Sequence, residues 1–176
     1  MNSSYVQSMT DAEIVDVVSS SLIGEIGAPG KLPETPELQL FSDVYSLDLE
    51  IGSGASFEQY FRWSDKNQVE RILDQLAQIG LPQIRETTRK AIQVAFPDGV
   101  PEKACEYQNY TNWSEEQENL LKELYENEPE IHSIIERKLA EYVREKGILS
   151  MSRFKRANKL NNFRLWLARA LRARLF

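Results

Sequence analysis

The sequence predicts an all-α fold: a single compact multi-helix domain of about seven helices, followed by a basic C-terminal helix. Three observations predict it. Apolar residues recur at spacings of three and four through most of the chain, while alternating segments of strand type are nearly absent. Helix start and stop signals divide the chain into segments of ordinary helix length. In 176 residues, 41% hydrophobic and 27% charged side chains suffice for one buried core with a solvated exterior.

Thr10 with Glu13 forms a capping-box signature that opens a helix through about Ile23. Gly24, Gly27, Pro29 and Gly30 close it into a loop reaching Pro33. Residues 1–33 are therefore expected to be an N-terminal helix and loop packed on the body. Thr35-Pro36 places an N-cap before a proline at the first helical position, and Leu40, Val44, Leu47 and Ile51, joined by Phe41 and Tyr45, form the core-facing stripe. Gly52-Ser53-Gly54 reads as the stop. Ser56 can cap a short aromatic helix with Phe57, Tyr60, Phe61 and Trp63. Val69, Ile72, Leu73, Leu76 and Ile79 make the next helix, ended by Gly80 with Pro82 beyond. Ile84, Thr88, Ala91, Ile92 and Ala95 follow, and Phe96-Pro97-Asp98-Gly99 is a stop and a turn. From Val100 to Trp113 there is no clear period, and Tyr107, Tyr110 and Trp113 are expected to pin this stretch to the surface. Ser114 with Gln117 opens a helix whose apolar face is Leu120, Leu121, Leu124 and Tyr125. After Asn127 to Pro129, Ile131, Ile134, Ile135, Leu139, Tyr142 and Val143 form the cleanest stripe, up to Gly147. The body is thus residues 34–147 and the basic amphipathic helix residues 148–176.

The chain carries 27 acidic and 21 basic side chains, net −6. The division is uneven: residues 1–149 hold all 27 acids against 13 bases, net −14, and residues 150–176 hold eight bases and no acid. Cys105 is the only cysteine and His132 the only histidine, which excludes an internal disulfide and leaves a zinc site short of its usual ligands. No serine or cysteine motif accompanies His132, so it reads as a helix-surface or cap-adjacent histidine, and Cys105 as an inert thiol. Carboxylate pairs fall on expected exposed faces. The expectation is therefore no enzyme, with no catalytic, cofactor-binding or metal-binding residues. No basic residue precedes Lys31, and no apolar run approaches the roughly 20 residues of a membrane span, so the cytoplasm is the expected address.

Residues 114–146 hold ten glutamates against five bases. Glu115, Glu116, Glu118, Glu123, Glu126 and Glu130 are the candidate partner-binding residues. Spacings of three and four put neighbouring carboxylates about 5–6 Å apart on a helix, an array to which a basic groove made for phosphates could bind. From charge alone the plainer reading is a solvated face laced with pairs such as Glu118 to Lys122. In the tail Arg153, Lys155, Arg156, Lys159, Arg164, Arg169, Arg172 and Arg174 alternate with apolar residues, of which Leu160, Phe163, Leu167 and Leu171 share one helical face. Such a segment can lie on an anionic membrane, contact nucleic-acid phosphates, or pack on the acidic body of its own chain or of a second copy. The third reading is favoured, because charges of opposite sign share one molecule.

Phe57-Glu58-Gln59-Tyr60-Phe61 after a glycine-containing turn, Ile79-Gly80-Leu81-Pro82, and Ala95-Phe96-Pro97-Asp98-Gly99 stand in an order and spacing that resembles the signature of the DNA-mimic protein family. The resemblance covers about residues 38–146, and Glu128 through Tyr142-Val143-Arg144 looks like that family's closing helix. One departure is Gly52-Ser53-Gly54-Ala55-Ser56, where the family usually has an Asn-Gly-Gly turn. The resemblance implies an all-helical domain and a non-enzymatic acidic module that engages a basic protein partner. In a characterised member that partner is a transcriptional repressor, whose DNA-binding surface is occupied so that repression is relieved. Within the signature, Phe57, Tyr60, Phe61, Gly80, Pro82, Phe96 and Pro97 read as architecture, and Gln59 as satisfying backbone groups at the turn. The alternative class is a nucleic-acid- or membrane-surface-associating protein that acts through its basic C-terminal helix.

Overall fold

The computed structural model describes residues 8–22, 33–101 and 113–150. Among these residues every regular element is helical: α1 (Asp11–Ser21), α2 (Pro36–Gly54), α3 (Phe57–Trp63), α4 (Lys66–Gln78), α5 (Pro82–Ala95), α6 (Glu115–Glu126) and α7 (Ile131–Glu145), closed by a 3-10 turn at Ile148–Ser150. Their starts are set locally. Thr10 with Glu13, and Ser114 with Gln117, form reciprocal capping boxes that satisfy otherwise orphaned N–H groups. Thr35 accepts from the Leu38 N–H ahead of Pro36, Ser56 from Glu58, and Asp65, a cap not read in the sequence, from Gln68.

The second helix departs from expectation at its end. Gly52-Ser53-Gly54 does not stop it; α2 runs through all three, and Ala55 closes it in the left-handed conformation at φ 48°, ψ 37°. The two glycines serve close packing instead. A Cβ on Gly52 would lie 2.7 Å from Cε1 of His132, and one on Gly54 would lie 2.6 Å from Cβ of Gln59.

Helix α2 is the axis of the molecule, in contact with α3, α4 and α7. On one side α7 packs against α1 and α2; on the other, α5 packs against α4 and α6, and α6 also rests on α3. The short α3 supplies Phe57, Tyr60 and Phe61, all fully buried, which with Phe41 of α2 are the largest fully buried side chains of the core. Each buried aromatic of this kind contributes about 1.5–3 kcal/mol of transfer free energy. Ile14, Val18 and Leu22 of the α1 region are fully buried, and the α7 stripe of Ile131, Ile135, Leu139 and Val143 is equally covered. Arg144 ties the two together, bonding the Asp11 carboxylate at 2.7 Å and the Met9 carbonyl at 3.1 Å. Ile148 and Leu149 are buried in the same core. No helix among the described residues is long and apolar enough to cross a membrane.

Candidate functional site

Helix α6 begins with three carboxylates in its first turn, Glu115, Glu116 and Glu118, where the helix dipole favours negative charge. It is seated through Leu121, its one fully buried residue, and through two hydrogen bonds that reach the end of α5. Gln117 Nε2 donates to the Val94 carbonyl at 2.7 Å, and Trp113 Nε1, just before α6, donates to the Ala95 carbonyl at 3.0 Å. Leu120, expected in the apolar face, is 41% exposed, because the rotation that buries Leu121 turns its neighbour outward.

The six glutamates do not form one row. Glu115, Glu116, Glu123 and Glu126 are exposed and fall within an arc of about 100° opposite Leu121. Glu118 turns toward α3, where its carboxylate lies 4.0 Å from Arg62, and Arg62 also pairs with Glu58 and covers the Trp113 ring at 5.3 Å. Glu130 lies past the helix end, on the turn into α7. The expected Glu118 to Lys122 pair does not form; Lys122 reaches Glu126 instead, at 3.6 Å. Among the described residues Glu115, Glu116, Glu123 and Glu130 make no ion pair. From Glu115 to Glu126 the helix rises about 16 Å, and its four outward carboxylates divide that rise into steps of about 1.5, 10.5 and 4.5 Å, a mean near 5.5 Å. A DNA strand carries one phosphate per about 3.4 Å, and the duplex one per about 1.7 Å. The row therefore carries about three-fifths of the linear charge density of a single strand.

At the far end of α6 lies a constellation that sequence reading left unassembled. His132, in the first turn of α7 and thus next to its start as expected, places Nδ1 2.7 Å from Oδ1 of Asp48 and Nε2 3.0 Å from the Tyr125 hydroxyl. A neutral imidazole that donates from Nδ1 and accepts at Nε2 satisfies all three groups. The chain of bonds fastens α2, α7 and α6 at one corner, and the imidazole lies flush against α2 where Gly52 has no side chain. Burial raises the Asp48 carboxyl above its ordinary value, and the His132 hydrogen bond opposes the rise.

A second buried carboxylate, Asp43, accepts from Nε and Nη2 of Arg71, both at 3.2 Å, and from Gln75 Nε2 at 2.7 Å. Burial raises its carboxyl too, against these partners. Nearby in the core, burial raises the Tyr60 phenol, and the Asp43 charge adds to the effect. The available sequence signal was position: Asp43 and Asp48 interrupt the apolar stripe of α2, and a carboxylate there needs a partner.

The signature residues fall mainly in the core and at the turns. Phe57, Tyr60 and Phe61 are buried, and Phe61 meets Phe96 edge-on at 5.2 Å between centroids. Gly80 adopts φ +74° after α4, and Pro82 occupies the first turn of α5. Pro97 is exposed in the turn that follows Phe96. Gln59 departs from expectation: among the described residues its side chain bonds no backbone group at the turn, and its Cβ packs on Gly54 instead. Cys105, Tyr107 and Tyr110 lie outside the described residues, as do all eight cations from Arg153 to Arg174. No group of three or more His, Cys, Asp or Glu among the described residues could hold a metal ion.

Comparison with known families finds that residues 33–146 match the family described as DMP19-like protein. The match takes in α2 to α7 and leaves α1 and the basic segment outside it. Comparisons with curated proteins and with solved structures return no match.

Proposed function

The chain belongs to the DMP19-like protein family, and from that premise we propose that it is a non-enzymatic DNA-mimic module whose glutamates on α6 occupy the phosphate-binding surface of a basic protein, of the class of DNA-binding regulators. The observation that carries the reading is the outward row of Glu115, Glu116, Glu123 and Glu126, all four carboxylates on one exposed face of a helix anchored at both ends. The His132 corner supports it from below, since a rigid base keeps the carboxylates in register. The cytoplasm, where such a regulator works, is the compartment this function requires.

The test is capture on the immobilised full-length chain, with duplex DNA as competitor. The reading expects a basic DNA-binding protein to be retained, released by duplex DNA, and lost when Glu115, Glu116, Glu123 and Glu126 are replaced by lysine. Retention of no basic protein, or equal retention by the charge-reversed variant, would overturn it.

A further inference from the structure

We propose that residues 151–176 dock within their own chain on the outward face of α6 and there compete with the basic partner. The inference rests on the reading of that face as the partner-binding surface, and it adds the regulation of that surface. Among the described residues the face is left exposed. Opposite the Leu121 seat it presents four glutamates beside a single cation, Lys122, which pairs with Glu126; Glu115, Glu116 and Glu123 have no ion pair among the described residues, and Leu120 stands exposed at the edge. Other outward faces suit a cationic occupant less well. Helix α5 carries Arg85, Arg89 and Lys90, and on α7 the cations Lys138 and Arg144 already hold Glu141 and Asp11.

The occupant has matching chemistry. Residues 150–176 hold eight Lys or Arg and no acid, and Leu160, Phe163, Leu167 and Leu171 recur at spacings of three and four. One segment thus offers cations for the carboxylates and an apolar row for Leu120. It also reaches. Ser150 follows α7, whose first turn touches the last turn of α6 through His132 and Tyr125, so the two points are separated by about one helix length, roughly 20 Å. The 26 residues beyond Ser150 span about 39 Å as a helix and more when extended. A segment tethered this closely acts at an effective concentration in the millimolar range. An intrinsic affinity of about 0.1 mM would then hold the face covered most of the time and weaken a competing partner roughly tenfold. The family match ends at residue 146, so this device is an addition to the family's own part of the chain.

Zero-length carbodiimide cross-linking of the intact chain tests it, because it joins a lysine amine to a carboxylate only in contact. The lysines of the segment are Lys155 and Lys159. The expected products join either one to Glu115, Glu116, Glu123 or Glu126. They form within one chain in a mixture of light and heavy isotope-labelled protein, are insensitive to dilution, and vanish at about 1 M salt, where the Debye length is about 3 Å. The Lys138 to Glu141 contact at 2.7 Å supplies the internal positive control. If that control forms while Lys155 and Lys159 join no α6 glutamate, or join only a second copy, the proposal fails. Partner capture by the intact chain is read separately: a captured partner with no such cross-link defeats only the docking segment, and a cross-link with no captured partner defeats only the partner reading.

Discussion

Replacement of Gly52 by alanine asks whether the glycine is a helix stop or a seat for His132. Position 52 lies inside α2, so in the absence of neighbours alanine would stabilise the helix by about 0.5–1 kcal/mol. The new Cβ would stand 2.7 Å from Cε1 and 3.2 Å from Nε2 of His132, so the ring must retreat by about 0.7 Å to an ordinary contact. That retreat stretches the 2.7 Å bond to Asp48 and the 3.0 Å bond to Tyr125 toward the limit of hydrogen bonding. Their joint loss costs about 2–3 kcal/mol, reduced because the imidazole is 42% exposed and water replaces part of it. The expected net effect of Gly52→Ala is a destabilisation of about 1–2 kcal/mol, read as a lower urea midpoint by circular dichroism. In a His132→Ala background the same substitution should change sign and stabilise by about 0.5–1 kcal/mol, a coupling of about 2 kcal/mol between residues 80 positions apart. Equal stabilisation by Gly52→Ala in both backgrounds would refute the account of this corner.

Ala55→Gly is expected to stabilise by about 0.5–1 kcal/mol in the same urea assay, because Ala55 holds φ 48° with a Cβ that glycine lacks. Ser114→Ala removes the capping box of α6 and should cost about 1 kcal/mol, with faster amide exchange confined to the first turn of that helix. Asp43 gives a pH dependence of definite sign. Its carboxyl is raised above 3.8 in the folded state, so the fold holds this proton where the unfolded chain has released it. The contribution is therefore most favourable below the unfolded value and declines as pH rises through the folded one. The urea midpoint should therefore fall more from acid to neutral pH in the native protein than in Asp43→Asn, where Asp48 still contributes a decline of the same sign; identical profiles would contradict the burial argument.

What the sequence made legible follows from the range of the interactions. Capping boxes at Thr10 and Ser114, the proline at position 36 and the stripes of α4, α5 and α7 act over three or four residues, and the class and starts of the helices follow from them. The roles of Gly52 and Gly54 depend on what packs across them, and for Gly52 that is a ring 80 residues further on. A glycine that stops a helix and one that admits a neighbour look alike in one dimension. The same limit governs Lys122, which has a glutamate four residues away on either side. Arg62 on α3 draws Glu118 away, and Lys122 turns to Glu126. Which of two adjacent leucines a helix buries is a matter of rotation against its neighbours, so Leu120 and Leu121 could not be told apart. Asp43 and Asp48 were visible as carboxylates inside an apolar stripe, but Arg71, Gln75 and His132 became their partners only through the packing of α4 and α7 on α2.

The most direct measurement of the central claim is calorimetric titration of the captured basic partner with the intact chain and with a variant in which Glu115, Glu116, Glu123 and Glu126 are glutamine, each over a range of salt. Four partly exposed charge contacts at about 0.3–1 kcal/mol apiece predict a loss of affinity of tenfold or more, together with a shallower dependence on salt. Unchanged affinity and an unchanged salt slope in the glutamine variant would contradict the claim that α6 stands in for a row of phosphates.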